Sequence, residues 1–278
     1  MNESGPSSRN ACVLHGWRGT ALSVYYGLNG SSLTGFFQPI RRAQVLCFSD
    51  PKIRLGFAKA FLRGAFKSIK DWAHAVRLAD NAFFSAFQRA TGALEEAHDI
   101  GELMGIEGSF RRDYYAAWER KLPAHLDFKE RNRRPPLDPV NAMISYGNSI
   151  LYGLAVPPLG TAGLYPDVGF LHEPGARRYS LALDVSETLK PLIVDCAIWN
   201  LVGSESFSKD WFEKTSLGCF MNKEGRKGLR VAMTERAEKV FGKGRERLGW
   251  PESLWAHLKL LSENIAASVL KGQPPSSF

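Results

Sequence analysis

Two Asp-Pro pairs divide the first half of the chain, and each predicts the start of a helix. At Asp50-Pro51 a short carboxylate precedes a proline whose fixed φ and missing N–H suit the first helical position. Apolar residues at 53, 57, 58, 61, 62, 65 and 69 then recur at helical steps, which predicts one long amphipathic helix with a buried stripe. Asp138-Pro139 repeats the signal, and its helix is predicted to run to about Leu154, with Pro157-Pro158 ending it. Further helical segments are predicted over roughly 71–103, 108–122, 180–190, 193–203, 226–241 and 252–271, with a Gly/Pro-rich connector over 160–171. Such a chain must bury several helical faces against one another. Its 278 residues and 44% hydrophobic content suffice for one large domain, or a large one plus a small one.

Upstream of Asp50 the pattern changes. In ALSVYYGLNGSSLTGFFQP, two β-rich runs, Leu22–Tyr26 and Leu33–Phe37, flank an Asn-Gly-Ser-Ser turn, which predicts a hairpin. A lone hairpin is marginal in water, so it must pair or pack with something else. The predicted class is therefore α+β: a small N-terminal β-domain over 1–48, then a predominantly α-helical domain over 49–278.

Charge narrows the function classes. A formal net charge of +8 favours polyanionic partners, and the cations are clustered. Lys129, Arg131, Arg133 and Arg134 precede two prolines on a stiff segment that can track a phosphate backbone. The Arg177-Arg178 pair and the set Lys223, Arg226, Lys227 and Arg230 are further phosphate candidates. Cys12, Cys47, Cys196 and Cys219 are widely spaced and read as buried thiols, not as a zinc site. There is no secretory signal pattern and no apolar run of membrane-spanning length, so a cytoplasmic location is expected. Phosphate-cradling, dinucleotide and serine-elbow motifs are absent, which disfavours nucleotide-driven and acyl-transfer chemistry.

The densest chemistry lies between Gly169 and Pro191, GFLHEPGARRYSLALDVSETLKP. His172 follows a Gly-Phe-Leu run, and Asp184, Glu187 and Lys190 recur at three-residue intervals. On a helix these share a face, so both carboxylates can point where the loop histidine points. Imidazole and carboxylate oxygens together suit a divalent metal. Glu107, in ELMGIEGSFRRDYY, is open to two readings: a carboxylate stabilising a helix N-terminus, or a metal ligand reaching across from a neighbouring helix. Asn141, three positions after Asp138, either bonds the helix start or orients the site.

In order along the chain, LMGIEGSFRRDYY, RNRRPPLDPVNAMISYGNSILYGL, GLYPDVGFLHEPGARRYSLALDVSETLKPLIVD and GCFMNKEGRKGL resemble the CRISPR-associated protein 1 family. The similarity covers the chain from about Val24 to its end. It implies a metal-dependent DNA endonuclease and integrase that inserts captured foreign DNA into a CRISPR array during prokaryotic antiviral immunity. It implies metal ligation through Glu107, His172 and Glu187, with Asp184 beside them; such oxygen-rich ligands favour Mg²⁺ or Mn²⁺, and the imidazole tilts the choice toward Mn²⁺. Lys190, Asn141 and the neighbourhood of Arg178 match positions that the family places around DNA phosphates, while Arg133, Arg134 and Lys227 rest on the charge clustering alone. The implied partners are DNA, a second copy of the chain, and a dimer of CRISPR-associated protein 2. Two departures stand out. The family's β-domain begins well upstream of residues 22–37, and the small residues usual after the Glu-Gly pair are replaced by Ser109, Phe110 and Arg111. A stand-alone metal-dependent repair nuclease and a DNA-binding remnant without catalysis stay open as alternatives.

Overall fold

The computed structural model describes residues 34–175, 179–242, 245–247 and 249–278. The first predicted strand, Leu22–Tyr26, lies outside them, as does Leu33. The second is corrected: residues 34–37 open a helix, α1 (Thr34–Ser49). Its inner positions Phe37, Ile40, Gln44 and Cys47 follow one another at helical steps, and packing overrides the local β preference of Phe36-Phe37. The predicted division at 48/49 falls at the end of α1, next to the Asp50 cap.

Helix α2 (Pro51–Ala75) starts as expected, with Asp50 accepting from the backbone N–H of Lys52 and Ile53 at 2.9 and 3.0 Å. Phe57, Ala58, Phe61, Leu62, Ala65 and Ile69 of the predicted stripe are buried, and Ile53 is half-buried. The stretch predicted as one run over 71–103 resolves into the end of α2, then α3 (Asn81–Glu96) and the start of α4 (Ile100–Lys121). Each new helix has its own cap: Asp80 accepts from Phe83 N–H and Asp99 from Glu102 N–H, both at 2.8 Å. Glu107 consequently lies inside α4, not between helices.

Helix α5 (Pro139–Thr161) is capped by Asp138 and passes through Pro157-Pro158 instead of ending before them. Leu154, Ala155, Pro157, Pro158 and Leu159 are all buried there, so packing outweighs the lost backbone donors. Helix α6 (Ser180–Lys190) leads into a widened π turn over Pro191–Asp195 and then α7 (Cys196–Val202). The turn widens where Pro191 removes a donor from the helical ladder. A short antiparallel pair, β1 (Phe212–Thr215) and β2 (Gly218–Met221), precedes α8 (Lys223–Phe241). It docks on the proline segment through Cys219 N–H to Pro136 O at 2.7 Å. Gly218 has φ +129°, and a Cβ there would meet Pro135 Cβ at 2.7 Å, so glycine is required. A second short pair, β3 (Glu246–Arg247) with β4 (Trp250–Pro251), leads into α9 (Glu252–Lys271).

The body is predominantly α-helical, as expected. Its core centres on aromatic rings in tilted and edge-on contact: Trp72 and Trp199 each lie 5.6 Å from Trp118, and Phe66 meets Phe110 at 4.6 Å. These tie α2, α4 and α7 together, and α6 packs between α2 and α5. Cys47, Cys196 and Cys219 are buried free thiols, as read from the sequence; Cys12 lies outside the described residues. Among the described residues no helix is long and apolar enough to cross a membrane.

Candidate active site

Long charged side chains link α4 to α6. On α4, Glu107 and Arg111 stand one turn apart, and Arg111 Nε donates to Glu107 Oε1 at 3.1 Å. The same guanidinium reaches across to α6, where Nη2 donates to Glu187 Oε2 at 2.7 Å. Lys190, one turn beyond Glu187, bonds the other carboxylate oxygen, Oε1. Two carboxylates from distant segments therefore share one cation, with a second cation at their side. Arg111 is 9% exposed and Glu187 6%. Burial works against the charge on Glu187, but Lys190 and then Arg111 outweigh it and hold this carboxyl well below the ordinary range. Burial likewise opposes the charge on Arg111, and Glu187 and Glu107 overcome it, so the guanidinium is held charged.

His172 is positioned by Asp184, which is completely buried. Asp184 Oδ2 accepts from the backbone N–H of Phe170 and Leu171 at 2.6 and 3.1 Å; Oδ1 accepts from His172 N–H at 3.0 Å and meets His172 Nδ1 at 2.8 Å. One carboxylate thus folds the loop and orients the ring. Gly169 makes the approach possible, since a Cβ there would lie 2.6 Å from Ser180 C and 2.8 Å from Asp184 Oδ2. Arg54 on α2 pins the same loop through Phe170 O at 3.0 Å, and Phe57 stacks on Phe170 at 4.4 Å. Burial disfavours imidazolium, yet the Asp184 bond and charge, and then the charge of Glu187, raise the pKa of His172 overall. With Nδ1 engaged, Nε2 is the ring nitrogen with no hydrogen-bond partner among the described residues.

The donor set has the chemistry a divalent cation needs: two carboxylates that already converge on one positive charge, and an imidazole held in a fixed orientation. In the described arrangement Arg111 bonds one oxygen of each acid and Lys190 the second oxygen of Glu187. No three His, Cys, Asp or Glu side chains stand close enough to hold a metal ion among the described residues. Asp184, named from the sequence with the reacting residues, is fully engaged in holding the loop and the ring, so its place is behind His172.

Two participants were not singled out as site residues in the sequence. Arg111 bridges the acids, although its spacing of four from Glu107 is the available signal. Asp195, 1% exposed, accepts from Tyr114 Oη at 2.9 Å through Oδ2, while its Oδ1 is buried without a hydrogen-bond partner. Burial pushes the Asp195 carboxyl up to about 6, against the pull of Arg111 and the Tyr114 bond. Nothing in the local sequence marks this residue; only the fold brings α7's approach turn against α4.

The DNA-directed candidates divide. Arg133 and Arg134 are exposed on the segment before α5, and Lys223, Arg226, Lys227 and Arg230 are exposed along α8. None of these six side chains has a protein partner among the described residues. The α8 cations, Glu224 and Tyr146 line a shallow cavity of about 440 Å³. Asn141 is different: it is fully buried, with Nδ2 donating to Glu130 O (2.8 Å) and Asp138 Oδ2 (2.5 Å) and Oδ1 accepting from Arg131 Nη1 (2.8 Å) and Asn132 N–H (3.0 Å). Its polar atoms shape the basic segment and are not free for phosphate. Arg177 and Arg178 lie outside the described residues.

The family model for CRISPR associated protein Cas1 matches residues 12–235. The CRISPR-associated endonuclease Cas1 of Clostridium perfringens is 34% identical over 187 residues, covering 66% of this chain and 57% of the relative. That of Methanocaldococcus jannaschii is 38% identical over 184 residues, covering 66% and 56%. The chain spans little more than half the length of these curated relatives. Among solved structures, a CAS1 protein from Thermotoga maritima superposes with a TM-score of 0.73 at 26% identity, over 85% of this chain and 72% of that one. A casposase bound to integration product shares the fold at a TM-score of 0.73 and 23% identity, over 86% and 67%.

Proposed function

The chain belongs to the CRISPR-associated protein Cas1 family, and from that premise we propose that it is a metal-dependent DNA endonuclease and integrase. It would insert captured foreign DNA into a CRISPR array by strand transfer. The observation that carries this reading is the convergence of Glu107 and Glu187 on a single cation, beside a histidine fixed by Asp184. Glu107, His172 and Glu187 would hold Mg²⁺ or Mn²⁺. The chemistry such an ion supplies is polarisation of a phosphodiester and offsetting of negative charge on its oxygens. Lys190, bonded to Glu187 at the edge of the cluster, brings a further positive charge to the same place. Asp184 keeps Nδ1 of His172 engaged, so the ring presents Nε2.

The exposed cations supply the DNA-binding half. Arg133 and Arg134 lie on the segment that Asn141 braces, and the α8 row lies on a helix packed against α5 and the turn after Lys190. Unpaired cations on two such elements suit the phosphates of a duplex entering the site. Residues 49–278 would form the unit that carries this site, and a second copy of the chain and a CRISPR-associated protein 2 dimer would complete the assembly. Nuclease and strand-transfer assays on branched and plain DNA test the reading, with Mn²⁺ and with chelator. Product that requires Mn²⁺ and is lost in Glu107→Gln supports it; product formed equally in chelator overturns it.

A further inference from the structure

We propose that the Arg111 guanidinium is the site's resident cation, filling the place between Glu107 and Glu187, and that an entering divalent ion displaces it toward Asp195. This rests on the reading of Glu107, His172 and Glu187 as a cation site, and it adds a competitor built into the chain.

The guanidinium uses two different nitrogens, one for each carboxylate, at 3.1 and 2.7 Å, and it is shielded from water with them. A divalent ion ligated by the same oxygens would stand within a few ångström of that charge. In a buried setting like charges at such a distance repel strongly, so the two cations exclude each other. Displacement then needs a landing place, because a buried guanidinium without an acceptor is itself costly.

Asp195 offers one. Tyr114 stands three residues beyond Arg111 on α4 and already bonds Asp195 Oδ2, so this acid faces α4 about one turn, roughly 5 Å, further along. Its Oδ1 is buried and unpartnered. Arg111 is moreover the strongest charge acting on it. An arginine side chain has several staggered arrangements from one backbone position, so a change of acceptor needs no movement of α4. The orphaned oxygen is the free acceptor that a two-position arginine requires. Cation entry would therefore exchange one set of buried pairs for another, without leaving a charge stranded.

Mn²⁺ binding to the full chain without DNA, followed by electron paramagnetic resonance, tests this without relying on activity. Arg111→Ala should bind Mn²⁺ at least about tenfold more tightly than the unaltered chain, because the competitor is gone. Asp195→Asn should bind it several-fold more weakly, because the landing place is lost. Equal or weaker binding by Arg111→Ala overturns the competition, and unchanged binding by Asp195→Asn overturns the displacement. Glu187→Gln separates the two levels. If it leaves Mn²⁺ binding intact, the cation-site reading itself fails; if it abolishes binding while Arg111→Ala changes nothing, only the competition fails. Should Arg111→Ala not fold, titrating the unaltered chain with Mg²⁺ and following the Arg111 Nε–H resonance decides the matter. A large shift supports displacement, and an unmoved resonance overturns it.

Discussion

The cluster between α4 and α6 and the cationic row on α8 are both rich in charge, yet they are built on opposite terms. In the cluster, Glu107, Arg111, Glu187 and Lys190 are mostly buried and each has a partner within the protein. On α8, Lys223, Arg226, Lys227 and Arg230 are exposed and their side chains have none among the described residues. Pairing and burial fix a charge in place, so the first region can hold chemistry to a defined geometry. Exposure without pairing leaves a charge free to meet a phosphate, so the second suits a partner whose sequence varies. Their mutational signatures should differ accordingly: stability and chemistry in one, affinity and salt dependence in the other.

The largest expected effect is at Asp184, which holds three backbone N–H groups and a ring nitrogen. Asp184→Ala should lower stability by about 3–5 kcal/mol, since it strands several buried donors at once. A Tm close to that of the unaltered chain would show that the loop is held mainly by Arg54 and Phe57 instead. Next comes Asp195, whose folded pKa of about 6 lies above the ordinary aspartate value. Between pH 4 and 6 the folded state holds a proton that the unfolded chain has released, so this residue makes stability fall as pH rises through that window. Asp195→Asn should flatten the slope, gaining at most about 3 kcal/mol over the unaltered chain at pH 7 and nothing at pH 4. Denaturant melts at several pH values read this directly, and parallel curves for the two proteins would contradict it.

The smallest effect on stability belongs to the exposed row. Lys227→Ala should change stability by no more than about 0.5 kcal/mol while reducing the salt slope of DNA binding by about 1. A large fall in Tm would mean the row is not the free surface described. A Tm and a salt slope both unchanged would remove Lys227 from the DNA contact.

How much of this was legible in the sequence follows the same division. Asp50-Pro51 and Asp138-Pro139 act through bonds to the next three residues, so their helix starts could be read directly. Asp80 and Asp99 carry the same local chemistry without a proline, and the breaks they mark were passed over. Residues 34–37 carry a β-like local pattern, but burial along one face of α1 made them helical, and burial is a property of the whole fold. The expectation at His172, Asp184 and Glu187 was open to local reading because one short segment contains a loop histidine and two carboxylates at helical spacing. Asn141 shows the limit: the sequence left open a bond at the helix start or a place at the site, since nothing local tells a buried amide from one facing DNA, and the structure shows bonds to Asp138. Asp195 lay beyond reach because its partner comes from an element that only tertiary packing brings against it; Arg111 carried the local i,i+4 signal to Glu107, but its bond to Glu187 depends on the fold.

The most direct test of the central claim, that Glu107, His172 and Glu187 serve one reaction centre apart from the DNA-binding surface, is His172→Ala in a strand-transfer assay alongside fluorescence anisotropy on the same DNA. The account predicts product reduced by about 100-fold or more, with Kd within about twofold of the unaltered chain. Product at the unaltered level with equal DNA affinity would contradict it.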